Sequence, residues 1–71
     1  MLIQFKKWEA GHHGTTPDPI PVDDLAQAEL ILKAISHAMS QPDSCVAIIK
    51  GDSGMVRKYY VADDHVSELQ E

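Results

Sequence analysis

Cys45-Val46-Ala47-Ile48-Ile49-Lys50-Gly51-Asp52-Ser53-Gly54-Met55-Val56-Arg57-Lys58-Tyr59-Tyr60-Val61-Ala62 holds two runs rich in β-branched and aromatic residues around a tetrapeptide with glycine at both ends. Such runs favour extended backbone, and a glycine-bounded turn between them predicts a β-hairpin over residues 45–62. Pairing Lys50 with Met55 sets Ile49 beside Val56, Ile48 beside Arg57 and Val46 beside Tyr59. One face then carries Val46, Ile48, Met55, Tyr59 and Val61, and the other Cys45, Ala47, Ile49, Val56 and Tyr60. Both faces are partly apolar, so the pattern leaves open which one a helix covers.

Upstream of the hairpin the chain changes period twice. Met1 to Trp8 alternates, with Met1, Ile3 and Phe5 on one side and Leu2, Gln4, Lys6 and Trp8 on the other, predicting a strand over 1–8. Residues 11–21 contain Pro17, Pro19 and Pro21 at alternate positions, which forces an extended, polyproline-like loop. Asp23 or Asp24 offers an N-cap carboxylate, and Asp24 with Gln27 has capping-box spacing. Leu25, Ala28, Leu32, Ile35 and Met39 then recur at steps of three and four, predicting a helix over 24–40 that stops before Pro42. Residues 63–71 read as an acidic tail that frays or forms one helical turn through Val66 and Leu69. The expected architecture is therefore a single α+β domain over 1–62 in β-α-β-β order. It is a two-layer sandwich whose three-stranded antiparallel sheet (order 1-3-2) has one helix on one face.

At 71 residues such a domain buries a thin core. Its formal net charge of −5 is unevenly spread. Asp18, Asp23, Asp24 and Glu29 form one acidic group, and Asp63, Asp64, Glu68 and Glu71 another, while all six cations lie between or before them. Net acidity disfavours direct contact with nucleic acid or an anionic membrane and favours a partner protein with a basic surface. No stretch has the length and apolarity of a membrane span. One cysteine cannot form an internal disulfide, which fits a reducing compartment such as the cytoplasm.

The residues that could carry chemistry do not assemble into a recognisable centre. Gly51-Asp52-Ser53-Gly54 matches the start of the segment around the nucleophile of chymotrypsin-like proteases, but that chemistry needs a base and a buried acid on a much larger scaffold. His12 and His13, with Cys45, His37 or His65, lack the short fixed spacings of zinc ligands. Cys45 opens an apolar strand, where a thiol serves as a small buried hydrophobe. Neither a metal nor a cofactor is expected, and no catalytic residue is assigned.

Binding is the economical expectation. The two acidic groups (Asp18, Asp23, Asp24 and Glu29; Asp63, Asp64 and Glu68) are candidate contacts to a basic partner. Trp8, on the strand face away from Ile3 and Phe5, is the candidate interface anchor by residue type. Leu30 stands off the helix core stripe beside Ala26, Ala34 and His37, a seam through which two copies could form a homodimer. An alternative uses Trp8, Tyr59, Tyr60, Lys6, Arg57 and Lys58 as a sheet that stacks and neutralises single-stranded nucleic acid. A third is a structural subunit. In size, acidity and βαββ order the chain resembles the small phage-encoded inhibitors of host defence, the anti-CRISPR proteins among them. That resemblance implies stoichiometric blockade of a nucleic-acid-handling machine.

Overall fold

A computed structural model describes residues 1–10 and 14–69. In chain order the elements are β1 (Leu2–Glu9), β2 (Ile20–Pro21), α1 (Leu25–Ala38), β3 (Ser44–Lys50), β4 (Val56–Ala62) and β5 (His65–Leu69). The expected three-stranded sheet of order 1-3-2 is replaced by a five-stranded sheet of order β2-β1-β3-β4-β5, with every neighbour antiparallel. The reason lies in the proline segment. After β1 the chain returns along that strand's outer edge, where Ile20 pairs with Ile3 and the Val22 N–H donates to the Met1 carbonyl at 2.9 Å. The loop therefore makes the first reversal and α1 the second. The strand after the helix must then run against β1, with Leu2 opposite Lys50 and Glu9 opposite Ser44. The crossover expectation assigned the only reversal to the helix.

The helix starts as its sequence dictates. Asp24 is the N-cap and accepts from the Gln27 N–H at 2.8 Å, while Gln27 Oε1 accepts from the Asp23 N–H at 2.7 Å. Two N–H groups that the helix cannot satisfy internally are thereby bonded. Ala28, Leu32 and Ser36 are buried, with Leu25, Ile31 and Ile35 packed beside them. The buried Ser36 hydroxyl donates to the Lys33 carbonyl at 2.7 Å. The helix ends at Ala38, with Met39 as its C-cap, two residues short of the expected end.

The β3–β4 hairpin forms one residue out of the expected register. Lys50 pairs with Val56, not Met55, so Ile49 faces Arg57 and Ala47 faces Tyr59. Gly51 and Met55 close the loop through a 2.8 Å hydrogen bond, and Gly54 takes φ +84, which leaves Asp52, Ser53 and Gly54 as a three-residue connection. A left-handed glycine after a tight turn is a common three-residue hairpin geometry. Because side chains alternate, a one-residue slip regroups the faces. Cys45, Ala47, Ile49, Tyr59 and Val61 now lie together under α1, joined by Ile3 and Phe5 from β1.

Two further departures matter for the surface. Over the described part of the expected tail, residues 63–69, the chain is neither frayed nor helical: His65–Leu69 is a strand on β4, and Asp63-Asp64 make the two-residue turn between them. In β1, Lys7 takes φ 51 and the register shifts between Lys6 and Glu9. An extra residue in one strand turns the following side chain to the other face. Trp8 therefore joins Phe5, with ring centroids 5.7 Å apart and planes at 77°, instead of pointing away from it.

Candidate interaction surfaces

With α1 on one face, the sheet presents the opposite face as ordered rows. The first runs Leu2, Lys50, Val56; the second Gln4, Ile48, Lys58, Leu69; the third Lys6, Val46, Tyr60, Ser67; the fourth Glu9, Ser44, Ala62, His65. Each of the first three rows carries one lysine and at least one large apolar side chain. Four of the five large hydrophobic residues exposed among the described ones stand on this face: Leu2, Val56, Tyr60 and Leu69. Glu9, in the last row, is its one carboxylate among the described strand residues. At that end Tyr60, Ala62 and His65 border a depression of about 420 Å3 with Gln41, Pro42, Asp43 and Asp63. The Tyr60 and His65 rings meet edge-on there, 6.2 Å between centroids.

Several acids lie at the helix or on the sheet face beneath it, and some of them have structural work. Asp24 is the helix cap. Asp64 Oδ1 lies 2.7 Å from His37 Nδ1, and Glu68 Oε2 lies 3.6 Å from Arg57 Nη1. Glu29 and Glu68 border one depression together with Lys33, Arg57 and Tyr59. Asp18, Asp23 and Asp63 are exposed. The acids near the helix start and those of the β4–β5 turn thus sit at opposite ends of α1, which spans about 20 Å at 1.5 Å per residue. Glu71, which the sequence groups with the second set, lies outside the described residues, as do His12 and His13.

Trp8 lines a groove of about 300 Å3 with Thr15 and Pro17 of the proline segment and Ile35, Ala38 and Met39 of the helix. It is half-buried against the core, so only part of the ring is available to a partner. Leu30 is 66% exposed on the outer face of α1, in a shallow depression with Ala26, Glu29 and Lys33. Of the rings and cations proposed to form a nucleic-acid-binding sheet, Lys6, Lys58 and Tyr60 share the open face. Trp8, Tyr59 and Arg57 lie on the helix side. Lys50 and the exposed aliphatic residues of the open face escaped notice because their grouping depends on the register.

Cys45 is buried, and desolvation pushes its thiol up to about 11. A thiol so held is a poor nucleophile at neutral pH. Burial likewise raises the Tyr59 hydroxyl, with a further upward push from Glu29 and Glu68 that Arg57 opposes. Among the described residues no group of three His, Cys, Asp or Glu side chains is placed to hold a metal ion, and no helix is long and apolar enough to cross a membrane. The sequence matches no protein-family model, and comparison with curated proteins and with solved structures finds no match.

Proposed function

We propose that the chain is a non-catalytic protein-binding module that acts stoichiometrically, by occupying the surface of a larger nucleic-acid-handling complex. The observation that carries this reading is the two-sided surface. One sheet face displays four of the five exposed large hydrophobic residues, and the carboxylates gather mainly on the helix side and in the turns. An exposed apolar set of this kind on so small a domain fits an interaction surface. In the finer form of the reading, Asp18, Asp23, Glu29 and Asp63 meet a Lys/Arg surface that otherwise receives phosphate, as the resemblance to phage inhibitors in size and acidity implies.

The experiment is quantitative capture of partners from a lysate of the source organism, with the wild type and with Asp23→Lys/Asp63→Lys. Neither side chain has the capping or ion-pair role of Asp24, Asp64 or Glu68. The expected result is one partner at a fixed stoichiometry, lost from the double variant and weakened by salt. Capture that ignores both salt and the reversed charges overturns the acidic-contact form.

A further inference from the structure

We infer that the outer edge of β5 is a self-association site, through which two copies of the chain join their sheets into one continuous antiparallel sheet. The two edges of the sheet are built differently. At the β1 edge, β2 is two residues long and ends on Pro21, Pro17 and Pro19 precede it, and a bulge at Lys7 interrupts β1. Prolines, short strands and bulges keep an edge from pairing with another chain. β5 has none of these over His65–Leu69, and it pairs with β4 without a register shift. Among the described residues no strand lies beyond it. The two-residue turn makes Ala62 and His65 a hydrogen-bonded pair, so by alternation the N–H and C=O groups of His65, Ser67 and Leu69 point at β4. Those of Val66 and Glu68 point outward, and among the described residues no backbone hydrogen bond outside the ladders engages them.

A strand completes such a row of donors and acceptors, and a second copy of β5 matches it in backbone, side chains and charge at one two-fold register. With Ser67 opposite Ser67 on the axis, Val66 of each copy faces Glu68 of the other, and each such pair exchanges both of its N–H···O=C bonds. His65 then lies opposite Leu69 on the open face, covering a leucine that is 41% exposed in the single chain. On the helix side Glu68 comes beside the other copy's Lys33 and His37, which border a depression with Val66. The neighbouring registers that the outward groups allow are worse. An axis at Glu68 sets two carboxylates face to face, and one at Val66 sets Glu68 against Asp64. An extended peptide from another protein would use the same backbone groups without this match of side chains.

The test follows the full chain by sedimentation equilibrium from micromolar to millimolar concentration, with amide hydrogen exchange at both ends of that range. The expected result is a monomer–dimer equilibrium in which the Val66 and Glu68 amides gain protection at high concentration. Ser67→Lys sets two cations opposite each other on the axis, and Glu68→Pro removes an outward N–H without touching the β4 ladder. Each should weaken dimerisation at least about tenfold while the chain keeps a native amide spectrum. Ser67→Cys reads the register, because non-hydrogen-bonded partners lie about 4.5 Å apart at Cα, within disulfide reach. Mild oxidation should give a covalent dimer of Ser67→Cys and leave His65→Cys, which faces Leu69 of the other copy, uncrosslinked. The inference is overturned by a chain that stays monomeric at millimolar concentration, by dimers that survive both edge variants, or by protection of Val66 and Glu68 that ignores concentration. Absent cross-linking of Ser67→Cys, or equal cross-linking of the two cysteine variants, overturns it as well.

Discussion

The backbone N–H of Asp64 donates to the carbonyl of Ser36 at 3.0 Å, tying the β4–β5 turn to the last turn of the helix. The same residue takes φ 53 and sets its carboxylate 2.7 Å from His37. This junction holds the edge strand β5 at the helix side. The His37–Asp64 side-chain contact is largely exposed, so its contribution is small, while the left-handed backbone and the hydrogen bond to the buried Ser36 matter more.

Asp64→Val should therefore destabilise the domain by about 1–2 kcal/mol, because a β-branched side chain resists positive φ. Asp64→Gly should cost less, about 0.5 kcal/mol or below, since glycine accepts that conformation. Urea unfolding of both variants checks the difference. Equal losses would mean that the carboxylate, not the backbone, dominates.

The cap at Asp24 and Gln27 was legible because both halves of it lie within one turn of chain. So was the helix stripe, whose members need no partner to be recognised. What escaped depends on contacts remote in sequence or on single dihedral angles. β2 is two residues long and exists only because Ile20 finds Ile3 across an edge. β5 has one apolar residue on each face, Val66 and Leu69, and owes its extension to β4. The hairpin register turns on one glycine dihedral, and Trp8 changes face through a bulge at Lys7 that no glycine announces. The rows of lysine and apolar side chains on the open face are a consequence of that register, so they could not be seen before it was known.

Gly54 supplies the dihedral that sets the register. A Cβ added there meets nothing within 4 Å, so any penalty for Gly54→Ala arises from φ +84 alone. The expected loss is about 1 kcal/mol, read as a lower thermal midpoint with unchanged cross-strand amide contacts. A change in the contacts between Lys50 and Val56 would mean that the turn no longer selects this pairing.

Leu32 and Leu30 offer an internal comparison, one with no exposed surface and the other 66% exposed on the same helix. Leu32→Ala opens the layer between α1 and the sheet and should cost about 2–5 kcal/mol, enough to unfold much of a domain this small. Leu30→Ala should change stability by less than about 0.5 kcal/mol. Light scattering on the Leu30 variant adds a second reading: if the wild type is a homodimer through this helix face, the variant should be monomeric. A dimer that persists places the interface elsewhere.

Cys45 links the core to alkaline pH. Its thiol has an ordinary value of 9.0 and is raised to about 11 by burial, so the folded chain retains a proton that the unfolded chain releases. The corresponding stability is complete below pH 9 and is lost as pH rises from 9 towards 11, because the unfolded state then binds fewer protons. Tyr59, also raised, adds a loss in the same direction above pH 10. Cys45→Ala leaves a small cavity and should be less stable than wild type at pH 8, with the gap narrowing by pH 10 as the thiol's contribution disappears. Urea midpoints of both proteins at pH 8, 9 and 10 measure this. A gap that stays constant would show that the thiol titrates alike in the folded and unfolded chain. In the wild type at pH 8, labelling by a thiol reagent should follow the opening of the fold, since the side chain is 1% exposed.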